Sequence, residues 1–520
     1  MTTPRHGLNY TASMPPLPLR TPAFHMLSMH TARVSPRHTR LSRALFAVWL
    51  CTATTGTSLA STTDADLPTF VGHGGGLLSS QMEAQIGADV LRWLQSSAKL
   101  LNDPLLYEYL HSIIYRLVPN TPLEQRELRL IIIDDPSINA FAVPGGLIGI
   151  NGGLLVHART EQQFASVIAH ELAHLSQRHF ARRLEQQSVS APLTLAGMIA
   201  GVILSAATGS DAGIAAIAGT QALAAQNALT YSRAHEQEAD RIGLEIMTSS
   251  GLDPRGMPSM FEQMVRQSRL YGNRLPEYLS THPLSESRVS DTRNRAEQYP
   301  VRDVEDSAEY HLMRVRMLVH YAESPALALK QLESMQENEL HRHHPAVQYG
   351  LAVAQLSNQQ PQKALELLDG LLERHPGRIS FVVTRAQALE ALDRKQEGID
   401  SLRTALERNP DNYPLTRTLA MMTLGSEQNS LAVRLFDRLS RTYPYDPALW
   451  LRLAEAQGHA RNIVEVHRAR AEYLLLMGDA EGAVRQLTEA LDKSGSNLPL
   501  YEVIRVRLDE ARALEREKRR

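Results

Sequence analysis

His170, Glu171 and His174 spell His-Glu-x-x-His inside the run Phe164-Ala-Ser-Val-Ile-Ala-His-Glu-Leu-Ala-His-Leu-Ser-Gln-Arg-His179. On a helix the two histidines stand one turn apart on one face. Imidazoles so placed can bind one Zn²⁺ at about 2.0–2.1 Å. Glu171 lies about 100° round the helix, beside the metal rather than on it. There it can take a proton from metal-bound water, the general-base role in metal-assisted peptide hydrolysis. A catalytic zinc also needs a third protein ligand and an open position. Ser232-Arg-Ala-His235-Glu236-Gln-Glu238-Ala-Asp240 offers Glu236 as that ligand. Asp240, one turn later, can accept the free ring N–H of a zinc histidine. His235 and Glu238 fall elsewhere on that helix, and Arg233 is expected to pair with a buried carboxylate. Thr281-His282-Pro283 holds a further histidine in an extended turn. A lone loop histidine carries no function by itself.

These residues need elements to hold them. No Gly or Pro interrupts 161–187, and Phe164, Val167, Ile168, Leu172 and Leu175 recur at helical spacing, which predicts an unbroken helix. Two helices are expected over 80–118. Leu128–Ile133 is β-branched and bounded by Asp134-Asp-Pro136, which predicts a strand. Asn139–Gly146 is expected to be a turn feeding a second strand, Leu147, Ile148, Gly149 and Ile150. Placed just before the metal helix, that strand is expected to offer an open edge to an extended peptide.

The 520 residues carry a net charge of −2, unevenly spread. The first 60 hold six arginines and no acidic residue or lysine, so the remainder, with 48 basic and 56 acidic side chains, carries −8. A mildly acidic chain argues against nucleic acid as a partner. Arg40 and Arg43, the apolar run 44–55 and Thr57-Ser-Leu-Ala60 form a secretory leader, with cleavage expected after Ala60. The basic region is long for such a leader, so translation is expected to start at Met26 or Met29. Cys51, the one cysteine, lies inside it, so the mature chain has no thiol for disulfides or nucleophilic catalysis. Residues 188–230 are Ala- and Gly-rich. Their uncharged stretch 191–207 is short for a membrane span and contains Pro192. Closely packed small-residue helices are the favoured reading, and peripheral membrane contact the other.

Residues 306–520 repeat. Pro376, Pro410 and Pro444 are 34 apart, as are Ala352, Ala386, Ala420 and Ala454, and Ala364, Gly398 and Ala432. Three tracks at this period mark tetratricopeptide repeats, helix pairs stacked into a solenoid that presents a surface to partners. The register is expected to slip near 458, with a further helix pair at 464–476 and 480–492. The expected organisation is a leader (1–60), an α+β zincin-like metalloprotease domain, mostly helical with a small sheet (61–305), and an all-α repeat solenoid (306–520).

Jointly, Asn139-Ala-Phe-Ala-x-Pro-Gly-Gly146, His170-Glu-x-x-His174, Ser232-Arg-x-x-Glu236-x-x-Ala-Asp240 and Thr281-His-Pro283 resemble the bacterial periplasmic metalloproteases that join a peptidase domain to tetratricopeptide repeats. The catalytic part is also similar to HtpX and the CAAX prenyl endopeptidases. The resemblance covers roughly 65–500. It implies one Zn²⁺ per chain on His170, His174 and Glu236, with Glu171 as catalytic base and Asp240 in support. It implies for His282 either occupation of the metal's open position, holding the enzyme inactive, or stabilisation of the transition state. The implied role is periplasmic: the repeats dock assembling outer-membrane β-barrel proteins and their assembly machinery, and the peptidase degrades stalled ones. A chaperone or scaffold with a latent peptidase site is the alternative. The long N-terminal extension and the Ala/Gly-rich insert depart from the family pattern.

Overall fold

The computed structural model describes residues 79–187, 232–270, 277–337 and 344–518. The expected leader (1–60) and the stretch 188–230 lie outside the described residues. α1 (Ser80–Ser97) and α2 (Pro104–Leu117) occupy the predicted helical region. α2 starts where Asp103 accepts from the Leu105 and Leu106 N–H groups and Pro104 takes the first turn, where it costs no hydrogen bond.

The sheet has three strands, β1 (Arg129–Ile133), β2 (Ala140–Val143) and β3 (Leu147–Asn151), in the order β1-β3-β2. β1 runs parallel to β3 and β2 antiparallel to it, with Leu130 opposite Ile148 and Phe141 opposite Gly149. Two expectations change. Residues 140–143, expected within a turn, are a strand; the turn is confined to Pro144-Gly145-Gly146, where φ of +81° and +77° suits only glycine. Leu147, Ile148, Gly149 and Ile150 are not an edge: β3 is the central strand, paired on both sides and buried throughout. Its continuous apolar run is the signature of a strand covered on both faces. Among the described residues β2, hydrogen-bonded only to β3, is the edge that packs beside the metal helix.

α3 (Gly153–His157) leads to α4 (Glu161–Ser176), which opens on Thr160, its hydroxyl accepting from Gln163 N–H at 3.2 Å. Every α4 residue from Glu161 to His174 is buried. The predicted unbroken helix is in fact two. Arg178 adopts φ 51°, and α5 (His179–Gln187) departs in a new direction. Arg178 is held there by hydrogen bonds from its Nε and Nη2 to Glu83 at 3.0 and 2.9 Å. α6 (Arg233–Ser249), α7 (Gly256–Leu270), α8 (Glu277–Thr281) and α9 (Glu286–Glu297) complete the peptidase part.

Twelve further helices, among the described residues, form the repeats: α10 (Ala308–His320), α11 (Pro325–Glu337), α12 (Pro345–Ser357), α13 (Pro361–Arg374), α14 (Ile379–Ala391), α15 (Lys395–Arg408), α16 (Tyr413–Thr423), α17 (Asn429–Thr442), α18 (Pro447–His459), α19 (Ile463–Leu476), α20 (Ala480–Lys493) and α21 (Leu498–Lys518). From Pro345 on, helix starts keep the 34-residue spacing through Ile463. The slip expected near 458 therefore comes later, at α20, although one small-residue track already lapses at Val466. Ala352, Ala386, Ala420 and Ala454 are buried where paired helices meet.

All described residues belong to one compact unit. The chain between the peptidase part and the repeats is packed against α4. Asp306 accepts Glu161 N–H at 2.8 Å, and Glu161 accepts from Ser307 N–H, Ser307 Oγ and Tyr109 OH at 2.8, 2.7 and 3.0 Å. Tyr310 OH and Arg314 Nε donate to the Ala158 carbonyl at 2.8 and 2.9 Å. The solenoid then curls back: Tyr413 packs on Tyr107, Gln95 donates to the Tyr445 carbonyl at 2.7 Å, and Arg129 lies 4.0 Å from the Tyr445 ring centre. A cavity of about 820 Å³ lies between the sheet edge and the repeats.

Candidate metal centre

α4 and α6 pack side by side, with Gly243 of α6 against the His170 backbone. A β-carbon there would stand 3.4 Å from His170 N and 2.8 Å from the Met257 methyl. The approach brings Glu236 and Asp240 against the two histidines, as sequence spacing predicted. His170, His174, Glu236 and His282 are all buried, with one ligand atom from each within 4.8 Å of the others.

The separations suit a metal. His170 Nε2 and His174 Nε2 are 3.0 Å apart, and the Glu236 oxygens lie 3.5 Å from the first and 3.4 Å from the second. Ligands held tetrahedrally at about 2.0–2.1 Å stand about 3.3 Å from one another. The donor set agrees. His170 Nδ1 lies 3.0 Å from Asp240 Oδ1; a metal ion on Nε2 would leave the ring proton on Nδ1, beside that carboxylate. Two ring nitrogens and a carboxylate converging at these distances suit a cation between them.

Electrostatics point the same way. Burial works against charge on His170, but Asp240 and Glu236 raise its pKa to about 9, the influence that would hold a metal ion in the proton's place. Burial also opposes charge on Glu236, yet His282, His170 and His174 hold its carboxyl well below the usual range. Burial pushes His174 well below the ordinary imidazole value. Glu171, 1 % exposed, is raised by burial, partly offset by His282 and His170.

Arg288 was not assigned a role from sequence. Its Nε and Nη2 donate to both Asp240 oxygens at 2.8 and 2.7 Å, its Nη1 stands 2.6 Å from Glu236 Oε2, and Nη1 also donates to the Pro283 carbonyl at 2.9 Å. It thus bridges two buried carboxylates, offsetting one of their two charges, and anchors the His282 loop. Burial would raise Asp240; the Arg288 bonds bring it down. Arg233, expected to meet such a carboxylate, is exposed at the start of α6.

His282 lies in the cluster, 2 % exposed, its Nδ1 3.1 Å from Glu236 Oε1 and its Nε2 3.5 Å from Glu171 Oε1. Tyr278, also unremarked in the sequence, stacks on it with ring centres 4.5 Å apart. His179 follows the Arg178 kink and returns beneath His174, Nδ1 to Nδ1 at 2.9 Å. Its Nε2 meets Glu238 Oε2 at 3.1 Å, and its ring stacks on His235. Glu238 and His235 therefore line the back of the site rather than standing apart. Burial holds the His179 pKa down to about 4 despite Glu238. Leu147, Ile148, Gly149 and Ile150 contribute no ligand and form the sheet behind β2.

Known proteins share both halves. The model of peptidase family M48 matches residues 104–296, and that of a tetratricopeptide repeat matches 346–377. The chain is 34 % identical over 425 residues to the β-barrel assembly-enhancing protease of Yersinia pestis, covering 82 % of this chain and 87 % of that one. It is 34 % identical over 455 residues to the protein of the same name from Escherichia coli K12, covering 87 % and 92 %. A mitochondrial metalloendopeptidase, OMA1 of Arabidopsis thaliana, is 34 % identical over 166 residues, 32 % of this chain and 31 % of that one.

Proposed function

The chain belongs to the β-barrel assembly-enhancing proteases of peptidase family M48 and is a metalloendopeptidase; from that premise we propose that it is a periplasmic zinc enzyme acting on outer-membrane β-barrel proteins. The observation that carries the reading is the buried meeting of His170, His174 and Glu236 with Glu171 beside them. One Zn²⁺ per chain on those three side chains would polarise the scissile carbonyl and acidify a water. Glu171 takes the proton of the attacking water and returns it to the leaving amine; a carboxyl raised by burial suits both steps. Asp240 fixes the His170 ring, and Arg288 fixes Asp240. The β2 edge lines up an extended peptide, offering backbone hydrogen bonds without demanding a sequence.

His282 restrains the site. It sits between Glu236 and Glu171, 3.1 and 3.5 Å from their oxygens, against the residue that would activate water. The loop carrying it is a two-state element that a docked client biases toward opening. That closed state also supports a second role, in which the repeats (306–520) hold assembling barrels chaperone-fashion and proteolysis is kept for stalled ones. The peptidase part is 61–305 after removal of the leader behind Ala60.

Glu171→Gln keeps the size of the side chain but cannot accept the proton. It is expected to retain zinc and to lose proteolysis by about 10²–10⁴-fold, while co-purifying with outer-membrane barrel proteins from the cell envelope. Hydrolysis at the unmodified rate would refute the mechanism, and capture of no barrel protein would refute the client.

A further inference from the structure

His174 and His170 receive different support. His170 meets its carboxylate, Asp240, directly at 3.0 Å. His174 instead faces another imidazole: its Nδ1 and that of His179 are 2.9 Å apart. At that distance one nitrogen donates and the other accepts, because two lone pairs or two N–H groups would repel. His179 in turn meets Glu238 Oε2 at 3.1 Å through Nε2, and Arg182 Nη1 stands 3.1 Å from the same oxygen.

We infer that Glu238 and His179 form a hydrogen-bond relay that sets the tautomer of His174, turning its Nε2 lone pair toward the metal position. The direction follows from counting protons. A carboxylate paired with an arginine only accepts, so His179 donates from Nε2. A neutral imidazole has one N–H, so His179 Nδ1 accepts, and the donor facing it is His174 Nδ1–H. His174 Nε2 is then the lone pair, directed at His170 Nε2 at 3.0 Å and Glu236 Oε1 at 3.4 Å. A doubly protonated His179 would reverse the last step and aim a His174 N–H at the cation. The geometry is held from several sides. His179 has no solvent exposure, its ring lies 4.5 Å from that of His235 at 13°, and the left-handed Arg178 turns the chain so that His179 comes under His174. His179 and Glu238 are positioning residues, since neither touches the reacting atoms.

The inference rests on His174 being a ligand. The test measures zinc affinity of the full chain by competition with a chelator, together with the absorption spectrum of the Co²⁺-substituted protein. His179→Phe removes the acceptor and keeps bulk. His179→Asn puts a carbonyl oxygen where Nδ1 stood. Metal affinity is expected to fall by about 10–100-fold in His179→Phe, the usual effect of losing a ligand's partner, and to be largely restored in His179→Asn. Glu238→Ala is expected to weaken binding in the parent but to add nothing in the His179→Phe background, because it acts through His179. The Co²⁺ spectrum is expected to shift in His179→Phe and not in His179→Asn. Equal losses in the Phe and Asn variants, or additive losses in the double variant, would overturn the relay. His170→Ala is the control: if it too retains zinc, the ligand assignment fails rather than the relay.

Discussion

Replacing Asp306 with Asn is expected to stabilise the protein, although it removes a charge from a hydrogen-bonded junction. Asp306 is 13 % exposed and accepts Glu161 N–H at 2.8 Å. Burial, with the Glu161 charge adding to it, raises its pKa from 3.8 to about 6. His311, 3.8 Å away, does not compensate, since burial lowers its own pKa to about 4. A carboxyl raised in the native state binds its proton more tightly folded than unfolded. It therefore costs nothing below the unfolded value near 4, and costs progressively more as pH rises through 6. At about 1.4 kcal/mol per tenfold change in proton affinity, the ceiling is about 3 kcal/mol at neutral pH. Local relaxation reduces that to the order of 1–2 kcal/mol, or about 2–4 °C in Tm. Asn keeps the oxygen that accepts Glu161 N–H and never ionises. Thermal unfolding of Asp306→Asn followed by circular dichroism is expected to show this gain at pH 7.5, shrinking as pH falls from 6 toward 4. A variant that melts at or below the parent at pH 7.5, or whose gain is unchanged at pH 4, would refute the reasoning.

Arg288→Met leaves the buried carboxylates of Asp240 and Glu236 with histidine partners alone and is expected to cost about 3–5 kcal/mol, read as a large fall in Tm of the metal-free protein. A change within 2 °C, roughly what 1 kcal/mol produces, would mean the carboxylates find another partner. His282→Ala is expected to keep zinc and to raise proteolysis of folded envelope proteins; a loss of about 10²–10³-fold would instead make His282 a transition-state donor. His170→Ala is expected to lose zinc by metal analysis, and full occupancy in that variant would remove the site assignment.

The metal-site spacing was legible because it is local. One turn separates His170 from His174 and Glu236 from Asp240, and helical geometry alone puts each pair on one face. The 34-residue period was legible for the same reason, each repeat packing on its neighbours. What the sequence hid is long-range. Arg288 meets Asp240 from 48 residues away, and at the start of α9 it is indistinguishable from a solvated arginine. The role of His179 depends on a left-handed arginine, a conformation that glycine or asparagine would have announced and Arg178 does not. The edge assigned to Leu147–Ile150 failed because chain order does not give strand order: β3 inserts between β1 and β2. The all-apolar run Leu147-Ile-Gly-Ile150 was the available signal, since a strand with one wet face alternates.

The packed junction has a bearing on synthesis. A chain made from its N-terminus delivers Glu161 145 residues before Asp306, the acceptor of its backbone N–H, and Ala158 156 residues before Arg314. Contacts of such separation form late, after the loop-closure cost has been met. The Thr160 cap of the His-Glu-x-x-His helix is local, but Glu161 N–H lacks its Asp306 acceptor until the chain has reached the start of α10. A prematurely terminated chain, or one still being delivered, lacks the residues that close the catalytic core. The core of the peptidase part and the first repeat helices therefore close together, in one late step rather than two.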